Sequence, residues 1–370
     1  MSDYLPEPAT RFLNSTLLLV LIALLGLTIS RLKLKPMARI FAWGLVILST
    51  VLAISITGAA GSVFKMLIIC AALLQAMKHL VLVEYAITTE HRLNLHQWCA
   101  FNFLWFGMNP QAFWRWTVCP LHFSAESKRV LAQGCMCVLC GLALIVCASI
   151  ALRNTGNAFI ATCLLLPGLS LTLHFGIFDI LTGLWQGLGA KVGILFRRPW
   201  LATSLTEFWG QRWNLAFVEM TTIALFRPLQ RKLGPNTAIM MSFFLSGILH
   251  ELTISVPVNA GYGLPLSYFM LQGVLILLEK NFKRNDCGWV VTLKTMAEAV
   301  MLAGNPVLDN DAQGSPSRRA DSLGRFAIAH STAPNRITGR IWTFFWIFAP
   351  MPLVFHPPFV QGVLLPLINF

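Results

Sequence analysis

The chain alternates long oily runs with polar stretches. Segments 12–30, 38–57, 60–83, 134–152, 158–185, 237–258, 263–280 and 338–356 are apolar over about the ~20 residues that a helix needs to cross a bilayer. They predict eight spanning helices. Segment 158–185 is long and contains Pro167, so a tilt or kink is expected there. The loop 84–133 interleaves Trp98, Trp105, Trp114 and Trp116 with polar residues, the pattern of a helix lying in the membrane interface. The run "AFVEMTTIALF" at 216–226 is short and interrupted by Glu219, which predicts a re-entrant or interfacial helix. An amphipathic helix is expected near 288–303. Beyond it, residues 304–337 include "GNPVLDNDAQGSPSRRADS" and read as a disordered loop.

Composition agrees with an integral membrane protein. Of the 370 residues, 56% are hydrophobic and 12% charged, and mean hydropathy is +0.66. A soluble domain carries about twice that share of charge. The formal net charge of +13 would suit nucleic acid in a soluble protein. Here 24 of the 28 Lys and Arg fall in or beside loops 31–39, 84–133, 186–236 and 281–337, all on one face of an eight-span topology. The positive-inside rule makes that face cytoplasmic and puts both termini on the lumenal or external side. Nucleic acid is therefore not an expected partner, and the bilayer is. Lys65 and Lys78 lie within a span, and Lys78 is expected to snorkel. The first span is not an expected signal peptide, because Asp3 and Glu7 precede it while Arg31, Lys33 and Lys35 follow. Cys135, Cys137, Cys140 and Cys147 lie in an apolar run and read as small hydrophobes, not as metal ligands. No metal site is expected.

Ionisable side chains inside spans are functional candidates. His250 and Glu251 lie in "MMSFFLSGILHELTISV", and His174 and Asp179 in "LTLHFGIFDILTG". His250 is ~20 Å along its helix from the cytoplasmic end, at 1.5 Å per residue. Ser246 and Gly247, one turn earlier, are expected to leave room beside it. A zinc-protease H-E-x-x-H is excluded, because Ile254 stands where the second histidine belongs. No G-x-S-x-G elbow occurs, which counts against a serine hydrolase. His174 and Asp179 read as a structural hydrogen bond or the wall of a wet pocket. A transporter using His174, Asp179 and His250 as a polar path is the rival class. It predicts polar helix faces and internal repeats, and neither is seen.

The stretch "SLTEFWGQRWNL" at 204–215, followed by "FLSGILHEL" at 244–252, resembles the signature of the wax-synthase branch of the membrane-bound O-acyltransferase superfamily. The resemblance covers about a tenth of the chain by motif. It departs from the family at Gln211, where arginine is usual, so one cation near the cofactor is missing. It implies an all-α polytopic helix bundle with about eight transmembrane helices plus interfacial or re-entrant helices. Helix count and the loop between the motifs extend the resemblance over the C-terminal half, with a motif-bearing core at 200–280, and hydropathy makes residues 1–370 a single multi-pass domain. The implied reaction is acyl transfer from acyl-CoA to a hydroxyl. His250 matches the family histidine and acts as general base. Asn214 matches its partner, donating to the oxyanion or orienting the alcohol. Trp209 and Trp213, four apart, are expected on one helical face as a wall of the acyl channel. Arg212 is the foremost candidate for binding CoA phosphate. Arg227 and Arg231 are further candidates, and Arg197, Arg198 and Lys232 lie nearby. The expected co-substrate is acyl-CoA, acetyl-CoA first, with no permanently bound cofactor. The expected acceptor is a lipophilic alcohol, first a terpenoid or related secondary metabolite, as in the fungal acetyltransferases of this branch. Long-chain alcohols (wax esters) and sterols are the alternatives. The endoplasmic reticulum is the expected membrane, and a non-catalytic scaffold would be a third class.

Overall fold

The computed structural model describes residues 9–284 and 336–369. Among the described residues all regular structure is helical. The principal helices are α1 (Ala9–Ser30), α2 (Lys35–Ile56), α3 (Ser62–Thr89), α4 (Leu95–Phe103), α5 (Ala125–Thr155), α6 (Ala158–Ser170) and α7 (Phe178–Gly187). They continue with α8 (Leu215–Thr221), α9 (Arg227–Leu233), α10 (Pro235–His250), α11 (Leu264–Arg284) and α12 (Arg336–Phe348). The amphipathic helix expected near 288–303 lies outside the described residues, as does the loop at 304–337 except for its last two positions.

Six of the eight expected spans are long and apolar enough to cross a membrane: α1, α2, α3, α5, the unit Ala158–Gly187 and the unit Pro235–Val258. α12 stops short, because Pro350 and Pro352 end the helix. It pairs with Pro357–Ile368 across a 73° bend, and together the two could make one further, broken span. α11 has 21 residues, about 31 Å. Its last turns carry Glu279, Lys280, Lys283 and Arg284, so it is long enough but less apolar than the six. α5 begins well before its oily run. Ser124 accepts from the Ser127 N–H at 3.1 Å and starts the helix there, a start that hydropathy does not mark. Pro167 does not end α6. The irregularity comes after it, as a π-helical turn over Leu171–Ile177.

Large apolar side chains stay exposed on α1, α2 and α5, among them Leu24, Ile47 and Leu139, as expected of faces turned to lipid. α3 is the axis of the bundle. Every residue from Gln75 to Tyr85 is buried, and α1 and α2 pack along it. Glu84 of α3 takes two hydrogen bonds from Arg39 of α2, at 2.6 and 2.9 Å.

One expectation fails in this region and another is met only in part. Lys78 does not snorkel. It is fully buried, and its Nζ donates to the Phe101 and Gly107 carbonyls at 2.7 and 3.0 Å. Three of the four indoles in the tryptophan-rich loop turn inward, although Leu95, Phe103, Leu104 and residues 117–122 stay exposed. Trp98, Trp105 and Trp116 are buried in the main core. Trp185 donates to the Leu104 carbonyl (2.9 Å) and Trp116 to the Leu188 carbonyl (2.8 Å), stitching the loop to α7 and its exit. The free carbonyls of an irregular turn need partners away from water, and the lysine and the indoles supply them. The stretch 216–226 likewise enters the core, as α8 and a π turn (Thr222–Phe226) with Ala216, Met220 and Ala224 buried.

Replacing Lys78 by methionine strips two buried carbonyls of their donor. We expect Lys78→Met to cost about 1–3 kcal/mol, read as a lower denaturation temperature of the detergent-solubilised protein. Lys78→Arg should lose less than Lys78→Met.

Candidate active site

The stretch 203–215 is a chain of capped turns. Ser204 Oγ accepts from the Glu207 N–H at 3.1 Å. Glu279 reaches across from α11 and accepts from the Leu205 N–H (3.0 Å), the Thr206 N–H (3.1 Å) and the Thr206 hydroxyl (2.7 Å). It thus neutralises the exposed donors at the start of the turn. Glu207 folds back. One oxygen accepts from the Thr203 N–H and hydroxyl at 2.8 and 3.0 Å. The other takes Arg212 Nε at 2.7 Å and Nη2 at 2.6 Å. Burial pushes the Glu207 carboxyl up, but the Thr203 and Arg212 hydrogen bonds outweigh it and hold the group below its usual range.

Arg212 is therefore engaged. Its Nη1 also donates to the Arg197 and Arg198 carbonyls at 3.2 and 3.3 Å. Backbone bonds Arg197 N–H to Arg212 O (2.8 Å) and Leu215 N–H to Leu195 O (2.9 Å) zip residues 195–197 onto 212–215. The guanidinium read from sequence as the first phosphate ligand holds this pairing together. The side chains of Arg197 and Arg198 stand exposed beside it, while Arg227, Arg231 and Lys232 are exposed farther along, on α9.

Trp209 and Trp213 do not share a helical face. Residues 208–212 form a π turn, and Trp213 leaves it in extended conformation (φ −99°, ψ 128°). The two indoles bracket Phe208, with ring centroids 5.1 and 5.5 Å away. Trp209 goes to one side, against Phe243, Tyr268 and Phe269, with its N–H on Gln272 Oε1 at 3.1 Å. Trp213 goes to the other, against Phe196 (5.0 Å) and His174 (5.7 Å). Asn214 follows with φ +45°, a left-handed conformation that asparagine tolerates. Its Oδ1 accepts from the Phe217 N–H at 3.2 Å and caps α8. Its side-chain NH₂ has no partner among the described residues.

His250 ends α10, just before a π turn over Glu251–Ser255. π turns are rare and recur at functional sites. Its Nδ1 lies 2.7 Å from the Ser246 carbonyl. A carbonyl only accepts, so Nδ1 carries the proton in this contact, and the neutral form of the ring would present its lone pair at Nε2. Nε2 has no partner among the described residues and is not sealed from its surroundings. The ring lies 4.1 Å from Phe269, which also touches Trp209. No hydrogen bond joins His250 to Asn214. They are connected through Phe269, Trp209, Phe208 and Trp213. The room expected at Gly247 is filled by the neighbouring helix, since a Cβ there would fall 2.6 Å from Leu266. Glycine lets α11 approach and carry Phe269 to the histidine.

Sequence reading passed over Gln272, Glu279 and the role of Glu251. Glu251 accepts from the Gly263 and Leu266 N–H groups at 2.8 and 3.3 Å and anchors the start of α11. Gln272 holds Trp209 and donates to the Trp346 carbonyl at 2.7 Å. Gln272 and Glu279 are seven apart in an apolar helix, hence on one face, and that spacing was the available signal. Among the described residues no cluster of His, Cys, Asp and Glu could hold a metal ion.

Residues 193–271 match the membrane bound O-acyl transferase family. The chain is similar to a probable long-chain-alcohol O-fatty-acyltransferase 2 of Arabidopsis thaliana, 33% identical over 26% of this chain and 31% of the relative. It is similar to the long-chain-alcohol O-fatty-acyltransferase of Simmondsia chinensis, 30% identical over 28% and 32%. It is also similar to an acyl-CoA–sterol O-acyltransferase 1 of Arabidopsis thaliana, 42% identical over 15% and 19%. These matches span at most about a third of the length of the curated relatives.

The low-lying Glu207 carboxyl has a pH signature. A carboxyl held below its unfolded value adds stability above pH ~4.3, and the gain fades as pH falls through its folded value. The stability difference between the wild type and Glu207→Gln should therefore be constant near neutrality and shrink in acid. Denaturation midpoints across pH 3.5–7.5 measure it.

Proposed function

We infer that this chain, which belongs to the membrane bound O-acyl transferase family and carries its wax-synthase-like motif, transfers an acyl group from acyl-CoA to the hydroxyl of a lipophilic alcohol. The observation that carries this reading is the tautomer of His250: Nδ1–H on the Ser246 carbonyl and a free lone pair at Nε2. That is the form a general base requires. Nε2 removes the hydroxyl proton as the oxygen attacks the thioester carbonyl. The C–S bond then breaks, and the proton passes from His250 to the CoA thiolate. The free NH₂ of Asn214 donates to the carbonyl oxygen as it gains charge, or orients the alcohol. No acyl-enzyme is required.

Arg197 and Arg198, exposed beside the motif, are the cations proposed to meet CoA phosphates, with Arg227 and Arg231 farther along. Arg212 acts as a positioning residue through Glu207. Trp209 and Trp213 are proposed as the aromatic walls on the two sides of Phe208. The basic loops are proposed to face the cytosol, in an endoplasmic reticulum membrane. The acetyl donor and terpenoid acceptor rest on the family resemblance. The relatives, named for long-chain alcohols and a sterol, support the alternative acceptors.

Two variants test the chemistry. His250→Ala removes the base and should lower kcat about 10²–10⁴-fold. Asn214→Asp keeps the oxygen that caps α8 but replaces the donor NH₂, and should lower kcat about 10²–10³-fold with an unchanged denaturation temperature. Membranes would be given acetyl-CoA or palmitoyl-CoA with fatty alcohols, sterols and hydroxylated terpenoids, and esters followed by mass spectrometry. Ester formation that survives His250→Ala defeats the assignment of the base, and the preferred pair selects the substrate class.

A further inference from the structure

The acyl-transfer reading leaves His174 unused, although it lies against the same aromatic wall. It sits on the π turn Leu171–Ile177, inside the unit Ala158–Gly187 that is long and apolar enough to span. Its ring is walled by Phe196 (4.7 Å), Trp213 (5.7 Å) and Phe178 (5.9 Å). Trp213 immediately precedes Asn214. Nδ1 is tied to the Ser170 hydroxyl at 3.3 Å. Nε2 has no partner among the described residues and is not sealed.

An imidazole within a span is costly unless its polar atoms are bonded. One nitrogen is provided for and oriented by Ser170. The other opens among aromatic faces. That arrangement, apolar walls with a single placed polar group, is how a pocket fixes the orientation of an oily ligand. Ser170 can donate to or accept from Nδ1, so Nε2 can meet either a hydroxyl or a carbonyl oxygen.

We propose that His174 is a specificity-determining residue whose Nε2 hydrogen-bonds a second oxygen of the acceptor, remote from the hydroxyl that reacts at His250. The acceptor is then a lipophilic molecule with two oxygen functions, one for each histidine. This assignment rests on the acyl-transfer reading, and the test keeps the two apart.

The purified full chain would be given 1-alkanols and the matching α,ω-diols from eight to sixteen carbons, with acetyl-CoA and palmitoyl-CoA. A diol of matching length should gain about three- to tenfold in KM over its mono-ol, beyond the twofold from having two ends, with little change in kcat; a neutral hydrogen bond contributes about that much. His174→Phe should treat diol and mono-ol alike, and His174→Gln should restore part of the difference. If no diol length is favoured, or if the preference survives His174→Phe, the proposal is overturned. Should the wild type form no ester, the acyl-transfer reading fails on its own. The same alcohols are then compared by their shift of the denaturation temperature. A larger shift with a diol than with its mono-ol, lost in His174→Phe, supports the second binding point, and equal shifts defeat it.

Discussion

Irregular backbone within a lipid-embedded protein must find its hydrogen bonds inside the protein. Much of the candidate site follows from that constraint. The turns of 203–215 cannot satisfy their own donors, so Glu279 and Gln272 come from α11 to do so, and α11 is itself anchored by Glu251. Because Glu251 is the next residue after His250, the anchor that seats α11 also fixes where the histidine leaves its helix. Gly247 closes the remaining gap. The buried lysine and the Trp185 indole serve the loop 101–108 in the same manner. Glu219 adds a carboxylate there, accepting from the Met108 N–H at 3.2 Å. Burial pushes that carboxyl up, offset in part by the Met108 N–H and the charges of Arg197 and Lys78.

The helical class and the position of most helices were legible in the sequence, because an oily run of bilayer length has few other uses. What hydropathy could not show was direction. Lys78, near the end of the oily run 60–83, reads equally well as pointing out to headgroups or in to carbonyls, and the choice depends on a loop twenty-odd residues later. Trp98, Trp105 and Trp116 have interfacial composition yet fill the core, and of the three the Trp116 N–H is the one that finds a carbonyl there, that of Leu188. The π turns escaped for a related reason. Nothing in "FWGQR" announces that the helical repeat will slip, and the slip is what sends Trp209 and Trp213 to opposite sides of Phe208.

At the site itself, the residue types were readable and their employment was not. His250 and Asn214 stood out by type and motif. Only the geometry shows that a carbonyl chooses the proton position on His250, and that Asn214 divides its amide, with oxygen for a helix cap and nitrogen left free. Arg212 stood out as a cation and turns out to be a brace.

The backstop of Trp209 comes late in the chain. Gln272 and Tyr268 donate to the carbonyls of Trp346 and Ile347, in the last turn of α12, more than seventy residues downstream. During membrane insertion the motif and both histidines therefore leave the ribosome before the helix that closes over them exists. Until α12 arrives, the Gln272 amide lacks one of its bonds. Biogenesis of this site thus has an order, in which the aromatic wall is laid down early and locked last.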